Sequence, residues 1–362
     1  MTSPVIHRTL SFQSGKSTDI FVGSEACGKL AEYVGSYSKA GIFLLFDESL
    51  PESLVTEVSQ ALPQSLKISI TAGEEVKTLE SVKEVSLKLL ELGCKRSSLI
   101  VVLGGGAATD FGGLVASLYM RGVDCIYVPT TLLAAVDASL GGKTGVNLGG
   151  VKNILGTFSH PKCVCIDTNL FETLPSRVFN SGVAEVIKHG LMADSAYFEQ
   201  IEKEVPLSPM SDSLCDIIVR SIEIKSEIVL EDERESGKRK LLNFGHTFGH
   251  AVEAYSHTTQ NPLFHGEAVA IGCVFAAYLS HLAGFISKEE VNRIETCFSK
   301  QNLPSRFSPA KFHREELLAL LEQDKKSTSA GVRWVLIESM GKAVFDQLIP
   351  QESLSRAIDY IS

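Results

Sequence analysis

The chain has 362 residues, 44% of them hydrophobic and 21% charged, with a formal net charge of −9. That length exceeds one average core, so two domains are expected, and the acidic balance argues against a nucleic-acid partner, whose recognition needs a basic surface. Eight cysteines without a Cys-x-x-Cys pair suit a reduced, cytoplasmic protein.

In chain order, the first residues lack a basic start followed by an apolar core, so no signal peptide is expected. Short strands are expected around Val5 to Phe12 and Asp19 to Val22. Apolar β-rich runs follow at Gly41 to Asp47, Lys67 to Thr71, Ser98 to Gly104, Cys125 to Pro129 and Cys163 to Asp167. Between them, Leu50 to Leu62 and Thr78 to Leu92 carry apolar residues at helical spacing. The alternation predicts an α/β domain built on a mostly parallel open sheet. Gly104-Gly105-Gly106 joins a strand to a helix, where close backbone approach and free N–H groups suit a dinucleotide pyrophosphate. Asp47, the Gly73 to Lys77 run and Thr130-Thr131 follow other strands, where parallel sheets collect ligand-facing groups.

Thr130 to Asn153 is glycine-rich, carries Asp137, Lys143 and Lys152, and reads as a loop suited to an anionic substrate. After about Leu174, helical periodicity dominates until a last short β run at Val332 to Ile337. This predicts an α/β domain over 1–175 and an all-α domain over 176–362. Glu185 and Lys188 share one helical face, where a carboxylate can serve a metal and an ammonium a substrate. Leu230 to Lys240 is the most polar run and reads as a solvated loop. His246 and His250 stand one helical turn apart on a helix that Asn243 or Thr247 can cap. His265 opens the next helix, and three imidazoles in one place make zinc the first candidate metal. Ala268 to Ile286 approaches membrane-spanning length, yet its Gly, Ser and His and the preceding Glu267 predict a buried helix.

These stretches (GGGAATD, MRGVDCIYVPTTLLAAVDASLGGKTGVN, KNILGTF, ETLP, GVAEVIKHG, LLNFGHTFGHAVEA, HGEAVAIG and DKK) occur in an order and spacing that resemble the 3-dehydroquinate synthase family. The resemblance runs from about Asp47 to Lys326. It implies an NAD-binding α/β domain, a helical metal-bearing domain and an active site in the cleft between them. It also implies 3-deoxy-D-arabino-heptulosonate 7-phosphate as substrate and a homodimer with no membrane or nucleic-acid partner. By that resemblance the metal ligands are Glu185, His246 and His265, with zinc or cobalt as the ion, and His250 turns to the substrate instead. Lys143, Lys152, Asn153, Lys188, Lys225, Arg239, Asn243, Lys325 and Lys326 fall on substrate positions, and Arg121 on one that crosses a dimer interface. Asp47, Gly73, Glu74, Lys77, Gly105, Gly106, Asp110, Thr130, Thr131, Asp137, Lys143, Lys152, Leu170 and Thr173 fall on the cofactor side. Two departures also lie there: Val178 replaces a common acid, and Leu148 to Val151 replaces a commoner HPLG.

The implied reaction oxidises a hydroxyl with NAD, eliminates phosphate, returns the hydride and closes a carbocycle by an internal aldol step. Two other readings stand beside it. A metal-dependent polyol dehydrogenase would not need the phosphate cluster of Lys143, Asn153, Lys225 and Lys325 or Lys326. A different sugar-phosphate cyclase, acting on a substrate without a carboxylate, would not need Arg239 with its planar two-donor fork.

Overall fold

The structure, a computed structural model, describes residues 5–37, 41–62, 64–307, 314–323 and 332–362. Lys325 and Lys326 lie outside the described residues. The chain divides into two compact units, one of residues 1–174 with 212–222, the other of 175–211 with 223–362.

The first unit is organised on a seven-stranded sheet. Its strands are β1 (Ile6–Ser11), β2 (Ser17–Gly23), β3 (Ile42–Asp47), β4 (Leu66–Ile70), β5 (Leu99–Gly104), β6 (Asp124–Pro129) and, after a hairpin, β9 (Cys163–Asp167). Their spatial order is β1-β2-β9-β6-β5-β3-β4. Every neighbouring pair is parallel except the edge pair β1 with β2. Strand β5 reads Leu-Ile-Val-Val-Leu-Gly and is buried at every position, as a central parallel strand covered on both faces requires. Helices α1 (Gly28–Tyr33), α2 (Glu52–Gln60), α3 (Leu79–Glu91) and α4 (Gly106–Leu118) make the crossovers. Leu44, Val101, Leu103, Ile126 and Val128 belong to one core cluster with Leu30, Val55 and Val58 of the helices. The connection leaving β3 runs to β4 on one side and the one leaving β5 runs to β6 on the other, so the direction reverses between the adjacent strands β3 and β5. That is the switch point where open α/β sheets bind ligands at the carboxyl ends of their strands.

The glycine-rich stretch after β6 is not the loop its composition predicts. It forms a π-helical turn over Ala134–Ala138 and then an antiparallel hairpin, β7 (Lys143–Leu148) with β8 (Val151–Phe158). Glycines at 149 and 150 make the turn, both at positive φ. Strand pairing then satisfies backbone groups that a loop would leave to water.

The second unit comprises α5 (Ser176–Ala193), α6 (Ser195–Glu204), the second half of α7 (Leu214–Glu231), α8 (His246–Ser256), α9 (His265–Leu282), α10 (Lys288–Lys300), α11 (Arg314–Gln323) and α12 (Gln351–Ile361). Among the described residues it is helical apart from one antiparallel hairpin, β10 (Arg333–Ser339) with β11 (Lys342–Leu348), so an all-α description is too strict. The apolar run at 332–337 needed a partner strand, and 342–348 supplies it. Helix α9 packs against α5, α8, α10, α12 and β10, which explains why it is apolar on nearly every side. Among the described residues no helix is long and apolar enough to cross a membrane. Phe248, Val252, Ile271, Phe275, Leu279, Trp334 and Ile358 form the surrounding core.

Candidate active site

In the first unit the sheet brings together most of the expected cofactor residues. Gly105 takes the position before α4 in an extended conformation, and the helix N-terminus leaves backbone N–H groups free for an anion. A Cβ at Gly104 would stand 3.3 Å from the Asp47 Cβ and 2.5 Å from that of Ala108, so the β3 and β5 ends meet closely here. The Asp47 carboxylate accepts the backbone N–H of Ser49 at 2.9 Å and its hydroxyl at 2.6 Å. Thr130 is buried and donates its N–H to Gly104 O at 2.9 Å. Thr131 Oγ1 accepts the Ala134 N–H at 3.2 Å.

Beside this edge lies a polar network. The buried Lys77 ammonium contacts the Asp110 carboxylate at 2.8 Å and donates to the Asn153 side-chain oxygen. Asn153 holds a left-handed backbone (φ 55) and donates its N–H to Asn147 Oδ1 at 2.8 Å. The Asn147 amide in turn donates to Glu74 at 2.8 Å. An expected substrate residue, Asn153, thus meets the expected cofactor residue Lys77, which also pairs with Asp110. Lys143 and Lys152 project from the exposed face of the β7–β8 hairpin, and Asp137 lies on the preceding helical turn, half-buried. Leu170 is buried, whereas Gly73 and Thr173 are exposed. Arg121 is exposed, with φ 63, beside Met120 at φ 49.

In the second unit three helices carry one acid and two imidazoles to a common point. Glu185 of α5, His246 of α8 and His265 of α9 each offer a ligand atom, all within 4.8 Å of one another. Glu185 Oε1 is 3.5 Å from His246 Nε2 and 3.6 Å from His265 Nε2. The Nδ1 atoms are committed elsewhere: that of His246 to Phe244 O at 3.2 Å, that of His265 to Glu253 Oε2 at 3.0 Å. A carbonyl and a carboxylate only accept, so each Nδ1 carries a proton, and each imidazole in its neutral form keeps its lone pair on Nε2. Glu185 is fully buried, and its Oε1 has no hydrogen-bond partner among the described residues. Lone-pair atoms from three groups facing one another, one of them a sealed carboxylate oxygen, call for a cation. The donor set fits zinc or cobalt.

The electrostatics agree. Burial would raise the Glu185 carboxyl, but Lys188, His246 and His265 hold it well below the usual range. Burial, reinforced by the Lys188 ammonium, keeps His246 neutral. Burial lowers His265 too, yet Glu185 and Glu253 outweigh it and push the imidazole up to about 10, a measure of the positive charge these carboxylates attract. Lys188 is buried, meets Glu185 Oε2 and donates to Leu242 O at 2.8 Å.

His250 behaves differently from its partner one turn earlier. It is exposed, with its ring centroid 5.2 Å from that of His246 and 6.0 Å from that of His265, and it is not in the clustered trio. The helix is preceded by Gly245 in a left-handed conformation, so neither Asn243 nor Thr247 caps it. Asn243 donates instead to Glu235 Oε1 at 2.9 Å. The polar run is more ordered than a solvated loop: α7 continues to Glu231, and a 3-10 turn begins at Lys238. Between them Asp232 accepts N–H bonds from Ser236, Gly237 and Arg239, and buried Arg239 donates to Glu233 O at 2.6 Å. Lys225 is also buried.

Sequence reasoning passed over Glu253, which follows His246 by two helical turns, a spacing that could have flagged it. It also passed over the fastening of α9 to α5. Arg177 grips Glu267 through two contacts at 2.6 and 2.7 Å, Glu267 accepts the Phe264 N–H at 2.8 Å, and Ser181 Oγ accepts the Gly266 N–H at 2.9 Å.

Family models described as 3-dehydroquinate synthase N-terminal and C-terminal match residues 67–181 and 182–327. The chain is 38% identical over 346 residues to the 3-dehydroquinate synthase of Thermoanaerobacter pseudethanolicus, covering 94% of this chain and 96% of that one. A crystal structure of 2-deoxy-scyllo-inosose synthase complexed with carbaglucose-6-phosphate, NAD+ and Co2+ aligns over 99% of this chain and 100% of its own. Its TM-score is 0.89 at 24% identity, a likeness of fold. A structure of ValA, the 2-epi-5-epi-valiolone synthase of Streptomyces hygroscopicus subsp. jinggangensis 5008 with NAD+ and Zn2+ bound, aligns over 95% and 96% with a TM-score of 0.83 at 26% identity. On the family match over residues 67–327 and the relative's identity together, the chain belongs to the 3-dehydroquinate synthase family.

Proposed function

We propose that the chain converts 3-deoxy-D-arabino-heptulosonate 7-phosphate to 3-dehydroquinate and phosphate, with NAD and a divalent metal as cofactors. The observation that carries this reading is the convergence of Glu185, His246 and His265, with both Nδ1 atoms already committed. When bound, a divalent cation acidifies a hydroxyl of the substrate's vicinal pair while NAD takes up and returns a hydride. Lys188 places a desolvated ammonium beside the ligand carboxylate, where it stabilises negative charge developing on the reacting oxygen. Arg239, held by the Asp232 turn, presents a planar fork for the substrate carboxylate, and Asn243 supplies an amide next to it. Lys143, Lys152, Asn153, Lys225 and His250 supply cationic and amide groups to the phosphate and sugar oxygens. Lys77, Asp110 and the N-terminus of α4 serve the cofactor.

The functional division follows the two units, NAD on the α/β side and metal on the helical side. We place the protein in the cytoplasm, as its eight unpaired cysteines suit. It acts as a homodimer through the first unit, whose Leu118, Met120, Leu148, Val151, Ile154 and Phe158 are exposed apolar residues near Arg121 in sequence or on the hairpin. Light scattering after size exclusion tests the dimer. The activity is tested by incubating purified protein with the heptulosonate phosphate and substoichiometric NAD. Phosphate and carbocycle should appear together, with no build-up of NADH, because the oxidation and reduction cancel. Stoichiometric NADH from a simple polyol, without phosphate release from the heptulosonate, would make the protein a dehydrogenase.

A further inference from the structure

We propose that Glu253 is a positioning residue for the metal: by accepting the Nδ1 proton of His265 it fixes the tautomer and ring plane that aim Nε2 at Glu185 and His246. The inference rests on the metal-site reading above. His265 is the first residue of α9, and its backbone is held by groups that do not touch its ring. Arg177, Glu267 and Ser181 fix the neighbouring peptides. The imidazole could still turn about its own bonds or shift its proton to Nε2, and either change would remove a lone pair from the ligand cluster. Glu253 prevents both through the contact of 3.0 Å. It is itself buried, on the same helix as His246 and two turns further on, so α8 supplies one ligand and the orienting group of another. Such carboxylate partners of ligating histidines change metal affinity by about 10- to 100-fold. A group serving only to join α8 to α9 would change the stability of the metal-free chain and leave affinity per folded molecule alone.

The test strips the full-length protein with a chelator and titrates zinc against a fluorescent competitor, for wild type, Glu253→Gln and Glu253→Met. The Gln amide oxygen still accepts the Nδ1 proton, so its dissociation constant should stay within about threefold of wild type. Met matches the length but offers only the weak acceptor of its thioether, and should bind zinc roughly 10- to 100-fold more weakly. The visible absorption of the cobalt-loaded Met variant should shift from that of wild type and the Gln variant, and the metal-free Met variant should remain cooperatively folded, with a urea midpoint lowered only by the loss of one buried hydrogen bond. Equal affinity in the Met variant and wild type, or equal loss in Gln and Met, would overturn the proposal. So would a Met variant that has lost its fold without metal, which would make Glu253 structural. A wild-type chain that binds no zinc would instead bring down the metal reading itself.

Discussion

Replacing Gly266 with alanine tests whether the ligand cluster depends on how closely α9 approaches α5. A Cβ at this position would lie 2.0 Å from Ser181 O and 2.5 Å from both Ser181 C and Cα. Carbon contacts need about 3.5 Å, so the two helices must open by roughly 1.5 Å, and the obstacle is backbone that cannot rotate away. That opening strains the Gly266 N–H bond to Ser181 Oγ, now 2.9 Å, and moves the adjacent His265 away from Glu185 on α5. Overpacking of this kind costs about 1 to 3 kcal/mol, against which the better helix propensity of alanine returns at most about 1 kcal/mol. Gly28→Ala is the control, since nothing lies within 4 Å of its Cβ position. Urea unfolding of the metal-free proteins and competitive zinc titration should show Gly266→Ala with a lower midpoint and zinc binding weakened roughly tenfold or more, and Gly28→Ala unchanged. A Gly266→Ala protein with both wild-type midpoint and wild-type zinc affinity would refute the reasoning.

Other substitutions address the remaining groups. Glu185→Ala, His246→Ala and His265→Ala should each lose bound zinc by elemental analysis, whereas His250→Ala should keep most of it and turn over slowly; an emptied His250→Ala site with His265→Ala fully loaded would reverse the assignment. Arg239→Lys keeps the charge but loses the fork, and should lower kcat/KM about tenfold or more. Lys238→Ala removes only an exposed pair with Glu231 and should be nearly silent, so equal small effects would remove Arg239 from carboxylate recognition. Lys77→Met deletes the ammonium shared by Asp110 and Asn153 and should weaken NAD binding roughly tenfold in equilibrium dialysis. Unchanged NAD affinity would take that network out of the cofactor site.

The sequence by itself determined the parallel sheet, because strands such as Leu99–Gly104 are buried on both faces and therefore carry uninterrupted apolar residues over a run too short for a buried helix. It also determined the central helix, expected over Ala268 to Ile286 and found over His265–Leu282, whose apolar circumference reflects packing on every side. The metal trio was approached by a different route. Spacing joined His246 to His250, since one turn places both on one face, added His265 as a third imidazole and offered Glu185 as a carboxylate that can serve a metal, and only the resemblance narrowed the set to Glu185, His246 and His265. Which imidazole turns inward depends on α5 and α9, which bring Glu185 and His265 from distant parts of the chain, and local periodicity carries no record of that. The stretch after Thr130 shows the same limit. Its glycines announce turns, but only cross-strand pairing of Lys143–Leu148 with Val151–Phe158 makes it a hairpin rather than a loop. The run around Arg239 looked solvated because its residues are charged, and only the resemblance set Arg239 apart; its burial follows from Asp232 gathering three backbone N–H groups around one carboxylate. Local pattern thus decided which elements form, since burial imposes its period residue by residue. Tertiary structure decided which polar atoms meet, since a short-range directional contact between side chains remote in sequence exists only once the backbones that carry them are packed.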